Sequence, residues 1–219
     1  MLKPFRAVVF DMDGTLLDTE NLYLIAMKQA ASEFGHVMTD ALHRSQVGVP
    51  NAQCRDIMLD ALGTDFPFEA YNTRMHAILD VHMADAVPVK PGVYEMMDAL
   101  DARGIAAAVA TSTSRPAAPE RLERAGLLDR LQTLVTRCDV SEGKPHPEPF
   151  LLAASQLGVH PRDCLALEDS FTGVRAAHAA GMQTVMIPDL IEPVAEIEAL
   201  CQAVMEDLHA VREAAFGAG

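Results

Sequence analysis

The sequence predicts an α/β fold, a doubly wound (Rossmann-like) parallel sheet with an α-helical cap domain inserted after the first strand. Three observations predict it. Short apolar runs without strict alternation suit strands covered on both faces, as in parallel sheets. Between these runs lie amphipathic stretches of helical period, several of which stop at a glycine. One long stretch near the start carries helical patterns alone. The chain has 219 residues, half of them apolar, and at that size roughly 70% of the unfolded surface is buried on folding, enough for a core without staples.

The elements follow in order. Ala7–Phe10 reads as the first strand. From Leu16 to about Ala86 no strand is convincing, and Tyr23, Met27, Ala30 and Phe34 mark the clearest helix. About 70 residues is too long for a loop in a compact domain. Residues 16–86 therefore read as the helical cap, leaving near Val87-Pro88, with 1–15 and 87–219 as a discontinuous α/β core. Val93, Met96, Met97 and Leu100 fall at helical spacing, so the methionines read as core. Ala106–Ala110 and Leu134–Thr136 read as the second and third strands. Phe150, Ala153, Ala154 and Leu157 mark a helix before a fourth strand, Cys164–Leu167. Thr184–Ile187 is the fifth strand, and Val194, Ile197, Cys201 and Val204 predict a last helix facing the core. Gly35, Gly104, Gly126, Gly158 and Gly181 sit where helices should end.

Charge narrows the function classes. Lys and Arg total 17 against 31 Asp and Glu, a formal charge of −14. That balance excludes a general nucleic-acid binder, which needs a basic face, and docking on anionic membranes. Cys54, Cys138, Cys164 and Cys201 show no metal or redox spacing and read as incidental thiols. The apolar run at the start is too short for a signal peptide, and no stretch reaches the roughly 20 apolar residues of a membrane helix. A cytoplasmic protein is expected.

Ligands of open α/β sheets bind beyond the carboxyl ends of the strands. Asp11-Met12-Asp13-Gly14-Thr15 follows the first strand there, Thr111-Ser112-Thr113-Ser114-Arg115 the second, and Glu168-Asp169-Ser170 the fourth, with Gly143-Lys144-Pro145 ahead of a helix. Asp11 and Asp13 are separated by one residue on an extended segment and project the same way. With Asp169, and Glu168 beside it, they form a cluster too acidic to stand without a cation. Hard oxygen ligands that leave room for water and phosphate suit Mg²⁺. A phosphate held there can be attacked in line by a carboxylate, while Lys144 and the Thr111 hydroxyl hold phosphoryl oxygens. Of the four lysines (3, 28, 90 and 144), Lys144 alone stands at the place for that clamp.

Four motifs in order, D-M-D-G-T-L-L-D-T-E from Asp11, T-S-T-S from Thr111, G-K-P-H-P-E-P-F from Gly143 and L-E-D-S-F-T-G-V from Leu167, resemble the haloacid dehalogenase superfamily. The position of the insert is similar to its helical-cap subgroup, which includes β-phosphoglucomutase and small sugar-phosphate phosphatases. The resemblance implies a phosphoric monoester hydrolase in which Asp11 is the nucleophile. Asp13 would protonate the leaving oxygen and then activate water. Thr111, Ser112 and Lys144 would bind the phosphoryl group. Asp169, Asp11 and the Asp13 main-chain carbonyl would hold Mg²⁺, with Glu168 either supporting that set or serving as a helix N-terminal acid.

Departures from the subgroup bear on the reaction. A dehalogenase typically lacks the second acid, so Asp13 speaks for phosphoryl transfer. Sugar phosphomutases place a His where Tyr23 stands and an Arg in the cap loop near Asn51, so the resemblance favours a phosphatase, with a mutase as the alternative. A phospho-accepting signalling module also groups acids with Thr and Lys, but carries its phosphorylated Asp after a later strand and has no long helical insert. The substrate is then a small phosphorylated metabolite, and a monomer is expected to suffice. Tyr23, Gln46, Val47, Gly48, Asn51 and Gln53 are the cap-side candidates for substrate contact, Asn51 foremost. Asp18 and Glu20 read as acids capping the first cap helix. His146 reads as a loop residue, and Arg115 as either a substrate contact or a surface arginine.

Overall fold

A computed structural model describes residues 2–46, 49, 51–84 and 86–217, without the side chains of Asn51 and Ala52. Strands β1 (Ala7–Phe10), β2 (Ala106–Ala110), β3 (Thr133–Val135), β4 (Cys164–Glu168), β5 (Gln183–Met186) and β6 (Ala203–Val204) form one parallel sheet in the order β3-β2-β1-β4-β5-β6. The chain runs outward from β1 through β2 to β3, then crosses back to β4 and runs the other way. β1 and β4 therefore flank the point where the winding reverses, which is where open sheets leave a crevice.

The apolar runs alternate between two cores, because successive side chains of a strand face opposite ways. Val8 and Phe10 join one core with Val109, Leu165 and Leu167. Ala7 and Val9 join the other with Ala108, Ala110 and Ala166. Helix α5 (Val93–Asp101) buries the predicted Val93, Met96, Met97 and Leu100 on the first face. Helix α7 (Glu148–Leu157) buries Phe150, Ala153 and Ala154 on the second. The other helices at the sheet are α6 (Ala117–Arg124), α8 (Phe171–Ala179), α9 (Ala195–Glu198) and α10 (Leu208–Phe216).

The insert is helical: α1 (Glu20–Glu33), α2 (Asp40–Arg44), α3 (Asn51–Leu62) and α4 (Phe68–His82), with α1 packed against α4. Met27 and Ala30 are buried in this packing, and Tyr23 and Phe34 lie against it. The chain leaves and returns side by side. Asp18 N donates to Pro88 O and Lys90 N to Leu16 O, each at 2.9 Å, around an antiparallel bridge between Leu17 and Val89.

The predicted last helix through Val194, Ile197, Cys201 and Val204 does not form. Helix α9 stops after four residues and β6 follows. Ile197 alone of the four is fully buried, while Val194 is 51% and Val204 40% exposed. The open edge of β5 takes the segment instead, because Thr184 O and Met186 O accept from Gln202 N and Met205 N. The final helix is α10. The third strand also ends one residue early, because Thr136 turns out to form a capping box with Asp139.

Candidate active site

The three strand-end motifs meet at the carboxyl edge. Asp11 N donates to Leu167 O across β1 and β4, and Thr111 N to Val135 O across β2 and β3. These bonds fix the starting points of the loops before any side chain is placed. Above them opens a cavity of about 660 Å³ between the sheet edge and helices α1 and α4. Asp11, Asp13, Thr111, Ser112, Lys144 and Asp169 all line it.

Asp11, Glu168 and Asp169 are buried, with one carboxylate oxygen of each within 4.8 Å of the others. Lys144 Nζ donates to Asp11 Oδ1 and Glu168 Oε1, both at 2.5 Å. Burial works against the ammonium, yet Asp11 and Glu168 hold it well above the ordinary lysine range. Burial pushes Asp11 upward against the pull of Lys144. Burial, then Asp11 and Glu168, push Asp169 well above the carboxylate range. Lys144 Nζ thus sits between the Asp11 and Glu168 carboxyl groups. Among the described residues Asp169 has no such partner, and its side chain accepts a single long bond, 3.5 Å, from Thr15 Oγ1. A divalent cation bound by oxygen ligands fits this set, because it supplies the charge Asp169 lacks.

Glu168 is fully engaged. Its Oε2 accepts from Asp169 N and Ser170 N, both at 3.1 Å, and from Ser170 Oγ at 3.0 Å, while Oε1 faces Lys144. Two glycines of the motifs make room for these acids. A Cβ at Gly173 would overlap the Glu168 carboxylate, and one at Gly14, whose φ is +91°, would overlap that of Asp169. Any other residue at Gly14 would also carry the cost of a left-handed backbone.

Asp13 stands outside this cluster and is dressed differently. Its Oδ1 accepts from Thr19 Oγ1 at 2.9 Å and from Arg121 at 3.3 Å, and its Oδ2 from Thr113 Oγ1 at 2.7 Å. Thr19 is the N-cap residue of α1, but its side chain does not cap the helix; it serves Asp13. Neither Asp18 nor Glu20 caps that helix either, although Glu20 stands in its first turn. Arg121 also donates to Tyr23 OH at 3.0 Å. Arg121 went unread in the sequence, yet Ala118, Arg121, Leu122 and Ala125 hold the i, i+3, i+4, i+7 places of an inward face.

The cap-side candidates divide. Tyr23 and Gln46 line the cavity, and Gln53 is exposed away from it. Val47 and Gly48 lie outside the described residues, as does the side chain of Asn51. Glu20, His43, Tyr71, Asn72 and His76, none of them singled out as substrate contacts, also line the cavity. Arg115 pairs with Asp139 at 3.1 Å on the surface, and His146 is exposed.

Comparison with known proteins agrees with the geometry. Residues 8–187 match the model of the haloacid dehalogenase-like hydrolases. The chain belongs to that family. Its relatives include the phosphorylated carbohydrates phosphatase of Thermotoga maritima, 37% identical over 82% of this chain and 83% of that protein. The β-phosphoglucomutase of Bacillus subtilis is 27% identical over 81% of this chain and 80% of that one. A Thermotoga maritima crystal structure with a provisional β-phosphoglucomutase name superposes with a TM-score of 0.78 at 34% identity, covering 95% of this chain and 99% of that one. Haloacid dehalogenase-like hydrolases generally use a divalent metal, and the acid set around Asp169 is where this chain would hold one. Among the described residues no helix is long and apolar enough to cross a membrane.

Proposed function

We propose that this chain is a Mg²⁺-dependent phosphatase that hydrolyses a small phosphorylated metabolite, a sugar phosphate or similar ester, through an aspartyl-phosphate on Asp11. The observation that carries the reading is the unequal dressing of two carboxylates two residues apart. Asp11 faces Lys144 and the acid cluster, whereas Asp13 is held by Thr19, Thr113 and Arg121. One is set to attack at the cation and the other to move protons beside it, the division of labour that two-step phosphoryl transfer requires.

In the first step an Asp11 oxygen forms a bond to phosphorus as the ester P–O bond breaks, and Asp13 gives its proton to the departing alcohol oxygen. In the second, Asp13 takes a proton from the attacking water, the acyl-phosphate P–O bond breaks and inorganic phosphate leaves. Lys144, Thr111 and the Ser112 backbone hold the phosphoryl oxygens as their charge redistributes. Asp11, Asp169 and the Asp13 carbonyl would hold Mg²⁺, with Glu168 fixing Lys144 behind them. When bound, the ion neutralises carboxylate and phosphoryl charge. Residues 16–86 act as the cap that excludes bulk water and selects the leaving group.

The test is phosphate release across a panel of sugar, polyol and nucleoside monophosphates, with Mg²⁺ and with EDTA, beside Asp11→Asn. Mg²⁺-dependent release that Asp11→Asn abolishes is expected. Full activity in Asp11→Asn, or isomerised sugar phosphate in place of free phosphate, would overturn it.

A further inference from the structure

The guanidinium of Arg121 joins two parts of the molecule that approach the cavity from opposite sides. Its side chain is 4% exposed, and one nitrogen serves both Asp13 Oδ1 and Tyr23 OH. Tyr23 comes from α1 in the insert. Arg121 comes from α6, the helix that continues from Thr111–Ser114. The guanidinium carbon also sits 5.6 Å from the Tyr23 ring centroid. Burial works against the charge, and Tyr23 and Asp13 restore it. Burial and Asp13 in turn push the Tyr23 phenol up to about 12, so it remains a neutral acceptor for this bond.

Asp13 is thus gripped from both sides. From the insert come Thr19 directly and Tyr23 through Arg121, one helical turn apart. From the sheet domain come Thr113 and Arg121 itself. Both bonds leave one guanidinium nitrogen, whose two N–H groups are fixed in the guanidinium plane, so the directions of the two acceptors are tied to each other. Were Arg121 only a counter-charge for Asp13, the phenol would be dispensable.

We propose that Arg121 is a positioning residue that locks the Asp13 carboxylate in its working orientation only while Tyr23 is seated against it, so that proton transfer is coupled to the seating of α1. The inference rests on the phosphatase reading above. If α1 moves away, Arg121 loses its phenol partner and Asp13 loses Thr19 in the same motion.

The experiment is steady-state and single-turnover kinetics on Arg121→Gln, Arg121→Lys, Tyr23→Phe and the double variant Arg121→Gln/Tyr23→Phe. Misplacing a catalytic group by about 1 Å costs on the order of 10²-fold, and that loss is expected in kcat of Arg121→Gln, with KM nearly unchanged. Arg121→Lys should recover part of it. Tyr23→Phe should lose roughly 10-fold, and the double variant should be no worse than Arg121→Gln, because the two residues act as one unit. In single turnover the Arg121→Gln loss should be larger for an alkyl phosphate than for p-nitrophenyl phosphate, whose leaving oxygen needs little protonation. A kcat of Arg121→Gln equal to wild type, losses confined to KM, or fully multiplicative losses in the double variant would each overturn the proposal. Should Arg121→Gln not fold, Tyr23→Phe decides alone: an unchanged kcat refutes the coupling. The phosphatase reading fails separately, when wild type releases no phosphate or Asp11→Asn keeps its activity.

Discussion

The Lys144 ammonium lies 2.5 Å from Glu168 Oε1, in a pair whose carboxylate is fully buried and whose other oxygen is bound by Asp169 N, Ser170 N and Ser170 Oγ. Glu168 is therefore bound at both oxygens, and it fixes the lysine. Removing one partner of a buried pair leaves uncompensated charge and costs about 3–5 kcal/mol. Lys144→Met should melt at lower temperature than wild type. It should also lose on the order of 10²–10³-fold in kcat, the usual loss for one donor to developing phosphoryl charge. Thermal melts and phosphate release measure both; unchanged values would contradict the pairing.

Gly173 leaves the space that Glu168 fills. Gly173→Ala forces either the α8 backbone or the carboxylate to move, an overpacking cost of about 1–3 kcal/mol. Because the displaced carboxylate is the one that holds Lys144, turnover should fall together with stability in denaturant titrations. A Gly173→Ala variant as stable and active as wild type would show that the pocket behind Glu168 is looser than its geometry.

Asp169 faces the carboxyl groups of Asp11 and Glu168, and among the described residues no lysine or arginine pairs with it. A divalent ion that binds the folded chain stabilises it by mass action, about 2.7 kcal/mol at a concentration 100 times its dissociation constant. The melting temperature should therefore rise with Mg²⁺ concentration. Asp169→Asn should melt higher than wild type in EDTA, where the unpaired acid is a cost, and should respond little to the ion. An identical Mg²⁺ response in the variant would refute this role.

Burial, then Asp13, push Glu20 up to about 7 from an ordinary 4.5. The sign follows from proton counting. Between those values the unfolded chain has released the proton and the folded chain has kept it, so stability falls as pH rises through that window. Above pH 7 the whole cost, about 3 kcal/mol, is present. Glu20→Gln removes it. In buffer free of divalent cations the variant should match wild type near pH 4.5 and exceed it above pH 7. A stability gap independent of pH would show that the surroundings of Glu20 do not disfavour its charge.

The sheet was legible because both-face burial leaves unbroken apolar runs, as in Ala7–Phe10 and Cys164–Leu167. The acid cluster was legible for a related reason: strand ends place Asp11, Thr111 and Asp169 at one edge whatever the helices do. What escaped was set by contacts distant in the chain. β6 forms because the β5 edge offers two carbonyls, which no local pattern around Val204 encodes. Arg121 escaped because a charge on a short helix reads as solvated, and only its apolar neighbours Ala118 and Leu122 mark the face as inward. Thr19 escaped because the acids on either side of it, Asp18 and Glu20, drew the reading of the helix start, while its hydroxyl is spent on an acid six residues earlier.

The adjacent crossings at Leu17 and Val89 carry a consequence for how such a chain can change over generations. Helices α1 to α4 of the insert hang from two neighbouring chain segments joined by the Leu17–Val89 bridge and two backbone bonds. Lengthening, trimming or exchanging what lies beyond that tie moves no strand of the sheet and shifts no register at its carboxyl edge. Because loop-closure entropy grows only slowly with length, such changes are thermodynamically cheap. What an exchanged insert must still bring is its share of the grip on Asp13, because Thr19 and Tyr23 both lie beyond the tie.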